Sequence, residues 1–134
     1  MPKKLFFLLA LFWAGIISFF CLVDSGELNK ANINIENLDK IVHIIFHFVF
    51  TLLLYLFLRK QLNSSNNIKP LVISIIISIV FGLIIEILQE SCTTSRHADM
   101  FDVLANLFGS SLFAVTIIIL DKYIDLDRFL ENKV

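Results

Sequence analysis

The sequence predicts an all-α, polytopic membrane protein: a bundle of four transmembrane helices with both termini on the cytoplasmic side. Three observations predict it. The 134 residues are 57% hydrophobic and 17% charged, with a mean hydropathy of +0.84, whereas soluble domains carry about a quarter charged residues. The apolar residues fall into four long blocks, Leu5–Val23, Ile41–Leu58, Leu71–Leu88 and Phe101–Leu120. Lys and Arg are divided unevenly among the segments that join those blocks.

Each block holds roughly 18–20 residues and, at about 1.5 Å rise per residue, reaches roughly 27–30 Å, enough to cross a hydrocarbon core. Together they leave no room for a separate soluble domain, so residues 1–134 read as one transmembrane domain. The first block follows Lys3 and Lys4, as a signal peptide would. Its apolar run exceeds the usual 7–15 residues, however, and no small-x-small cleavage site follows. Phe20 before Cys21 also disfavours lipoprotein processing, so a retained helix is expected. Pro70 suits the first turn of the third helix, and Asn63–Asn67 is an Asn/Ser linker. The polar tail, residues 121–134, mixes acids and bases at helical spacing (Asp121, Lys122, Asp125, Asp127, Arg128), as a short surface helix does.

Basic residues near span ends set orientation. Eight fall on one side (Lys3, Lys4, Arg59, Lys60, Lys69, Lys122, Arg128, Lys133) and three on the other (Lys30, Lys40, Arg96). A multi-pass protein of the cell membrane results, with Asp24–Lys40 and Ser91–Met100 facing outward. A net charge of −1 and the lack of a basic patch argue against nucleic-acid partners. Membrane lipids are the expected partners, and no cofactor motif is present. Cys21 and Cys92 match no metal or redox spacing. The topology brings both to the same side, which allows a disulfide, although lone cysteines in apolar spans are mostly small packing residues.

The last three blocks carry polar residues at i, i+4 spacing, hence on one helix face. These are His43, His47, Thr51 and Tyr55; then Ser74, Ser78, Gly82, Glu86 and Glu90, with Gln89 alongside; then Asp102, Asn106, Ser110 and Ala114, with Ala105 and Gly109 adjacent. Small residues of this kind let helices approach closely. Ionisable ones cost a few kcal/mol within a span unless paired or near water. Here they converge at one end. Asp39, Lys40, His43 and His47 enter one helix, Glu86, Gln89 and Glu90 leave the next, and Arg96, His97, Asp99, Asp102 and Asn106 belong to the last loop and helix. Five carboxylates face Lys40 and Arg96 as the fixed cations, so the cluster should hold a shared proton, charged histidines or a bound cation.

At these residues the chain resembles the VanZ-like family of small bacterial membrane proteins. The resemblance rests on DKIVH (Asp39, Lys40, His43), EILQ (Glu86, Gln89), Arg96 and DVLANLFG (Asp102, Asn106, Gly109), and covers roughly residues 39–115. His47 stands where that family commonly has an aromatic residue, and SCTTSRHAD lacks the proline-containing turn often found before the Arg. The resemblance implies a cell-envelope protein, and a link to glycopeptide (teicoplanin) resistance by that likeness alone.

Four activities suit these residues. The first is a binding protein, with Lys40, His43, Glu86, Gln89, Arg96, Asp102 and Asn106 receiving a lipid head group or cell-wall precursor, Lys40 and Arg96 on phosphate. The second is a membrane enzyme on a lipid-linked substrate, with Glu86 or Asp102 as general base, His43 as acid or base and Arg96 on developing negative charge. No nucleophile frame surrounds Ser91, Cys92, Thr93, Thr94 and Ser95. A metal variant would use His43 and His47 with Glu86 or Asp102, without the H-E-x-x-H frame that gives such pairs specificity. A transporter ranks last, because four spans without an inverted repeat do not place a site at mid-membrane.

Overall fold

The computed structural model describes residues 3–23, 35–62, 67–92 and 98–123, with side chains of the second segment from Leu38 onward. Four helices make up the described architecture: α1 (Lys3–Leu22), α2 (Ile35–Leu62), α3 (Ile68–Cys92) and α4 (Met100–Tyr123). Each is long and apolar enough to cross a membrane.

The helices run past the apolar blocks. α2 begins at Ile35, before Ile41, and ends at Leu62; α3 continues through Glu90 to Cys92; α4 continues to Tyr123, so Asp121 and Lys122 lie on it rather than beyond it. The reason is that hydropathy marks where the surroundings change, whereas a helix satisfies its own backbone in either medium. Arg59, read from the sequence as part of a connecting loop, therefore sits inside α2. It is only 7% exposed, donates from Nη1 to the Tyr55 hydroxyl at 3.3 Å and stacks over that ring. The tail beyond Tyr123 lies outside the described residues.

α2 is the centre of the bundle, packing on α1, α3 and α4. One face of α1 (Phe6, Ala10, Ile17, Cys21) is buried at helical spacing. It joins Phe50 and Leu54 of α2 and Ile85 of α3 in an apolar cluster. Trp13 stacks edge-on against Phe46, and its indole N–H donates to the Phe46 carbonyl at 3.0 Å. A second cluster, Tyr55, Leu71, Phe113 and Ile117, ties α2, α3 and α4 at the opposite end from His43.

The α2–α4 contact is the closest of all. A Cβ built on Gly109 would fall on the Ile44 backbone, meeting its carbonyl oxygen and coming within 3.0 Å of its Cα. Only a residue without a side chain permits that approach. What α2, α3 and α4 enclose is largely polar: His43, His47, Thr51, Ser74, Ser78, Glu86, Asp102, Asn106 and Ser110 are all buried. The outward surface is apolar along every helix, for example Leu8, Phe12, Ile45, Ile76, Ile87, Phe108 and Ile118. Such an inversion suits a hydrocarbon surrounding and would aggregate in water. Cys21 is buried and Cys92 exposed, and the two are not joined in a disulfide.

Candidate polar site at one end of the bundle

The site forms where α2 begins, α3 ends and α4 begins. The chain reverses between α3 and α4, so the first N–H groups of α4 need acceptors. Asp99 provides one for Phe101, and Glu86 and Glu90 fasten the two residues that precede the helix. Glu90 Oε2 accepts from Ala98 N at 2.6 Å, Glu86 Oε2 from Asp99 N at 3.4 Å, and Asp99 Oδ1 from Phe101 N at 2.9 Å. Asp99 thus caps α4, and negative charge here also complements the helix dipole. Lys40 Nζ lies 3.5 Å from Asp99 Oδ2 and 5.8 Å from the centroid of the Phe101 ring, tying α2 to the same turn.

Beneath that rim lies His43, 1% exposed. Its Nδ1 is 2.9 Å from Asn106 Oδ1. An amide oxygen only accepts, so Nδ1 carries a proton and a neutral ring keeps its lone pair on Nε2. That Nε2 faces Asp102 Oδ2 at 3.9 Å, too long for a hydrogen bond. Asp39, one helical turn before His43, offers a further oxygen; one donor atom from each of Asp39, His43 and Asp102 lies within 4.8 Å of the others. Glu86 is within electrostatic range of Asp102, His43 and Asp39. Three buried atoms of this group lack a hydrogen-bond partner: His43 Nε2, Glu86 Oε1 and Asp102 Oδ1. Leaving a buried polar atom unmatched costs about 1–3 kcal/mol.

A separate, satisfied layer lies deeper. His47 Nδ1 contacts Ser78 Oγ at 2.8 Å, Ser78 contacts Ser110 Oγ at 3.0 Å, Ser110 contacts Thr51 Oγ1 at 3.0 Å, and Thr51 donates to the His47 carbonyl at 2.7 Å. Each hydroxyl has one proton and rotates to suit its surroundings. Because the carbonyl can only accept, all four contacts are made together in one sense: His47 Nδ1–H to Ser78, Ser78 to Ser110, Ser110 to Thr51, Thr51 to the carbonyl. Gly82 lets α3 lie against both layers, since a Cβ there would stand 2.8 Å from Asn106 Nδ2 and 2.9 Å from His47 Cε1.

Of the residues singled out from the sequence, the structure brings together Lys40, His43, Glu86, Asp102 and Asn106. Gln89 is buried at the edge of the group, where its Nε2 donates to the Cys21 carbonyl at 2.8 Å and holds the end of α1. The group whose donor atoms lie within 4.8 Å of one another is Asp39, His43 and Asp102, while His47 Nδ1 contacts Ser78. The sequence carried the signal, because Asp39 precedes His43 by four residues and shares its face. Arg96 and His97 lie outside the described residues, as do Thr93, Thr94 and Ser95, while the Ser91 hydroxyl donates to the Ile87 carbonyl of its own helix.

Cavities lie at both ends of the bundle. An apolar groove of about 510 Å³ runs between α2 and α4 from Lys40 past Ile44, Phe101, Leu104, Phe108 and Ser111. Another, about 370 Å³, lies at the far end among Tyr55, Asn67, Leu71, Ile117 and Asp121, where Asn67 Nδ2 donates to Asp121 Oδ2 at 2.6 Å. No protein-family model, curated protein or solved structure matches the chain.

Proposed function

We propose that the chain is a cell-envelope membrane protein of VanZ-like type that binds the polar head of a lipid or lipid-linked cell-wall precursor. The head would sit beside Lys40, His43, Glu86 and Asp102, at the end that the distribution of Lys and Arg assigns to the outer face. The observation that carries this reading is the groove between α2 and α4, which joins apolar walls suited to an acyl chain to a lysine at its mouth. A phosphate oxygen there would gain a charge-assisted hydrogen bond from Lys40.

Native mass spectrometry of protein extracted in mild detergent tests it. Lipid should remain bound to the unmodified chain, and Lys40→Ala should weaken retention about tenfold or more, the equivalent of one hydrogen bond to a charged group. Ser111→Trp, which fills the groove from an exposed position, should displace the acyl chain. Retention equal in all three proteins would overturn the proposal. Teicoplanin susceptibility of cells with and without the chain tests the family link separately.

A second reading, an acid–base enzyme on a lipid-linked substrate, draws on the unmatched carboxyl oxygens of Glu86 and Asp102 beside His43. Turnover abolished by Glu86→Gln or Asp102→Asn, with lipid retention intact, would favour it.

A further inference from the structure

His43 and Asp102 face one another from two helices without closing to a hydrogen bond, which helix packing alone does not explain. Asp39, His43 and Asp102 stand on two helices, with their donor atoms within 4.8 Å of one another. A charge-assisted pair between His43 and Asp102 would close to about 2.7–2.9 Å; the separation is 3.9 Å, and both His43 Nε2 and Asp102 Oδ1 remain unmatched although His43 is 1% and Asp102 6% exposed. We propose that Asp39, His43 and Asp102 bind one divalent transition-metal ion, of the zinc class, at this end of the bundle.

The geometry suits such an ion. Ligands each about 2.0–2.1 Å from a tetrahedral zinc stand about 3.3 Å apart, so side-chain adjustments of about an ångström would close a set whose donor atoms already lie within 4.8 Å of one another. The ring is presented correctly: Asn106 Oδ1 takes the Nδ1 proton and leaves the Nε2 lone pair toward the aspartates, the outer-shell arrangement that orients metal-bound histidines. One nitrogen and two carboxylate oxygens favour zinc or manganese over calcium and magnesium, which prefer oxygen alone. Charge points the same way. Among the described residues Asp39, Asp102 and Glu86 lie within electrostatic range of one another, and carboxylates brought together at the end of a transmembrane bundle favour a bound cation. Three protein ligands leave a coordination position open, and Glu86, whose Oε1 is also unmatched, is the nearest candidate to complete it. The ion site does not depend on lipid binding, although a bound cation would turn an anionic cluster into one that accepts a phosphate.

The test uses the full chain in lipid nanodiscs, stripped with a chelator and titrated with zinc by calorimetry and with cobalt by visible absorption. One zinc per chain should bind, and cobalt should give the intense d–d bands of a low-coordinate site with a nitrogen ligand. Asp102→Asn and Asp39→Asn should each lower affinity about tenfold or more, and Asn106→Leu about 10–100-fold through the ring it orients. Glu90→Gln, outside the ligand set, should bind as the unmodified chain does. If His43→Ala fails to fold, Asp39→Asn at the half-buried rim carries the test, together with a zinc-dependent rise in the melting temperature of the unmodified protein. Substoichiometric zinc, or equal affinity in the unmodified chain and Asp102→Asn, would overturn the proposal. Lipid retention by stripped protein that binds no zinc would overturn the ion alone and leave the lipid reading standing.

Discussion

His43 and His47 are one turn apart on the same helix and do opposite things. His47 closes a circuit with Ser78, Ser110 and Thr51, whereas His43 has one bonded nitrogen and one unmatched. Their shared face was legible from i, i+4 spacing in the sequence. Their difference was not, because it depends on what α3 and α4 bring opposite each ring: serines at one level, aspartates and Asn106 at the other. Ser78→Ala opens the circuit at its first link and should cost about 1–3 kcal/mol, the range for a buried donor left unmatched, read as a fall in thermal stability in detergent. Gly82→Ala should cost about as much for a different reason. Its Cβ meets Asn106 Nδ2 and His47 Cε1 below 3.0 Å, and Asn106 cannot retreat without releasing His43. The two losses should add less than fully when combined, because both act on His47.

At the scale of the helices, the closest contact in the bundle is set by one missing side chain. Gly109→Ala drives a methyl into the Ile44 backbone, which cannot rotate away as a side chain can, so α2 and α4 must part. Overpacking of this kind costs about 1–3 kcal/mol, and separation of these helices also pulls Asn106 from His43. Gly15 is the control. A Cβ there meets nothing within 4 Å, so Gly15→Ala should be neutral or stabilising by up to about 1 kcal/mol through helix propensity. Thermal melting of the two variants side by side checks both. Hydropathy located all four helices but misplaced their ends, and Arg59 shows why. Its guanidinium finds Tyr55 one turn back while its stem stays against apolar surface, so a charged residue continues the helix instead of ending it.

For the whole molecule, the decisive property is that polar groups face inward and apolar groups outward. Gathering of the cluster at one end was legible because the stripes of successive antiparallel spans meet at their near termini. The partners within it were not, since pairings such as Lys40 with Asp99 and Glu90 with Ala98 depend on how the α3–α4 turn closes. The orientation expected from the Lys and Arg count has a direct check. Cys92 is exposed at the His43 end and Cys21 is buried, so a membrane-impermeant maleimide should label intact cells at Cys92 alone. Cys92→Ser should abolish the signal, and labelling only after the cells are opened would reverse the orientation.

The His47 circuit also bears on what the polar interior can carry. A proton wire needs a chain of groups that hand a proton onward and reset, with a titratable acceptor at the far end. Here every hydroxyl proton is committed in one sense, and the last acceptor is the carbonyl of the residue where the circuit began. The circuit begins and ends on His47 and includes no second titratable side chain. The buried hydroxyls act as a rivet between three helices, while the buried atoms left without a partner, His43 Nε2, Glu86 Oε1 and Asp102 Oδ1, lie at the end of the bundle.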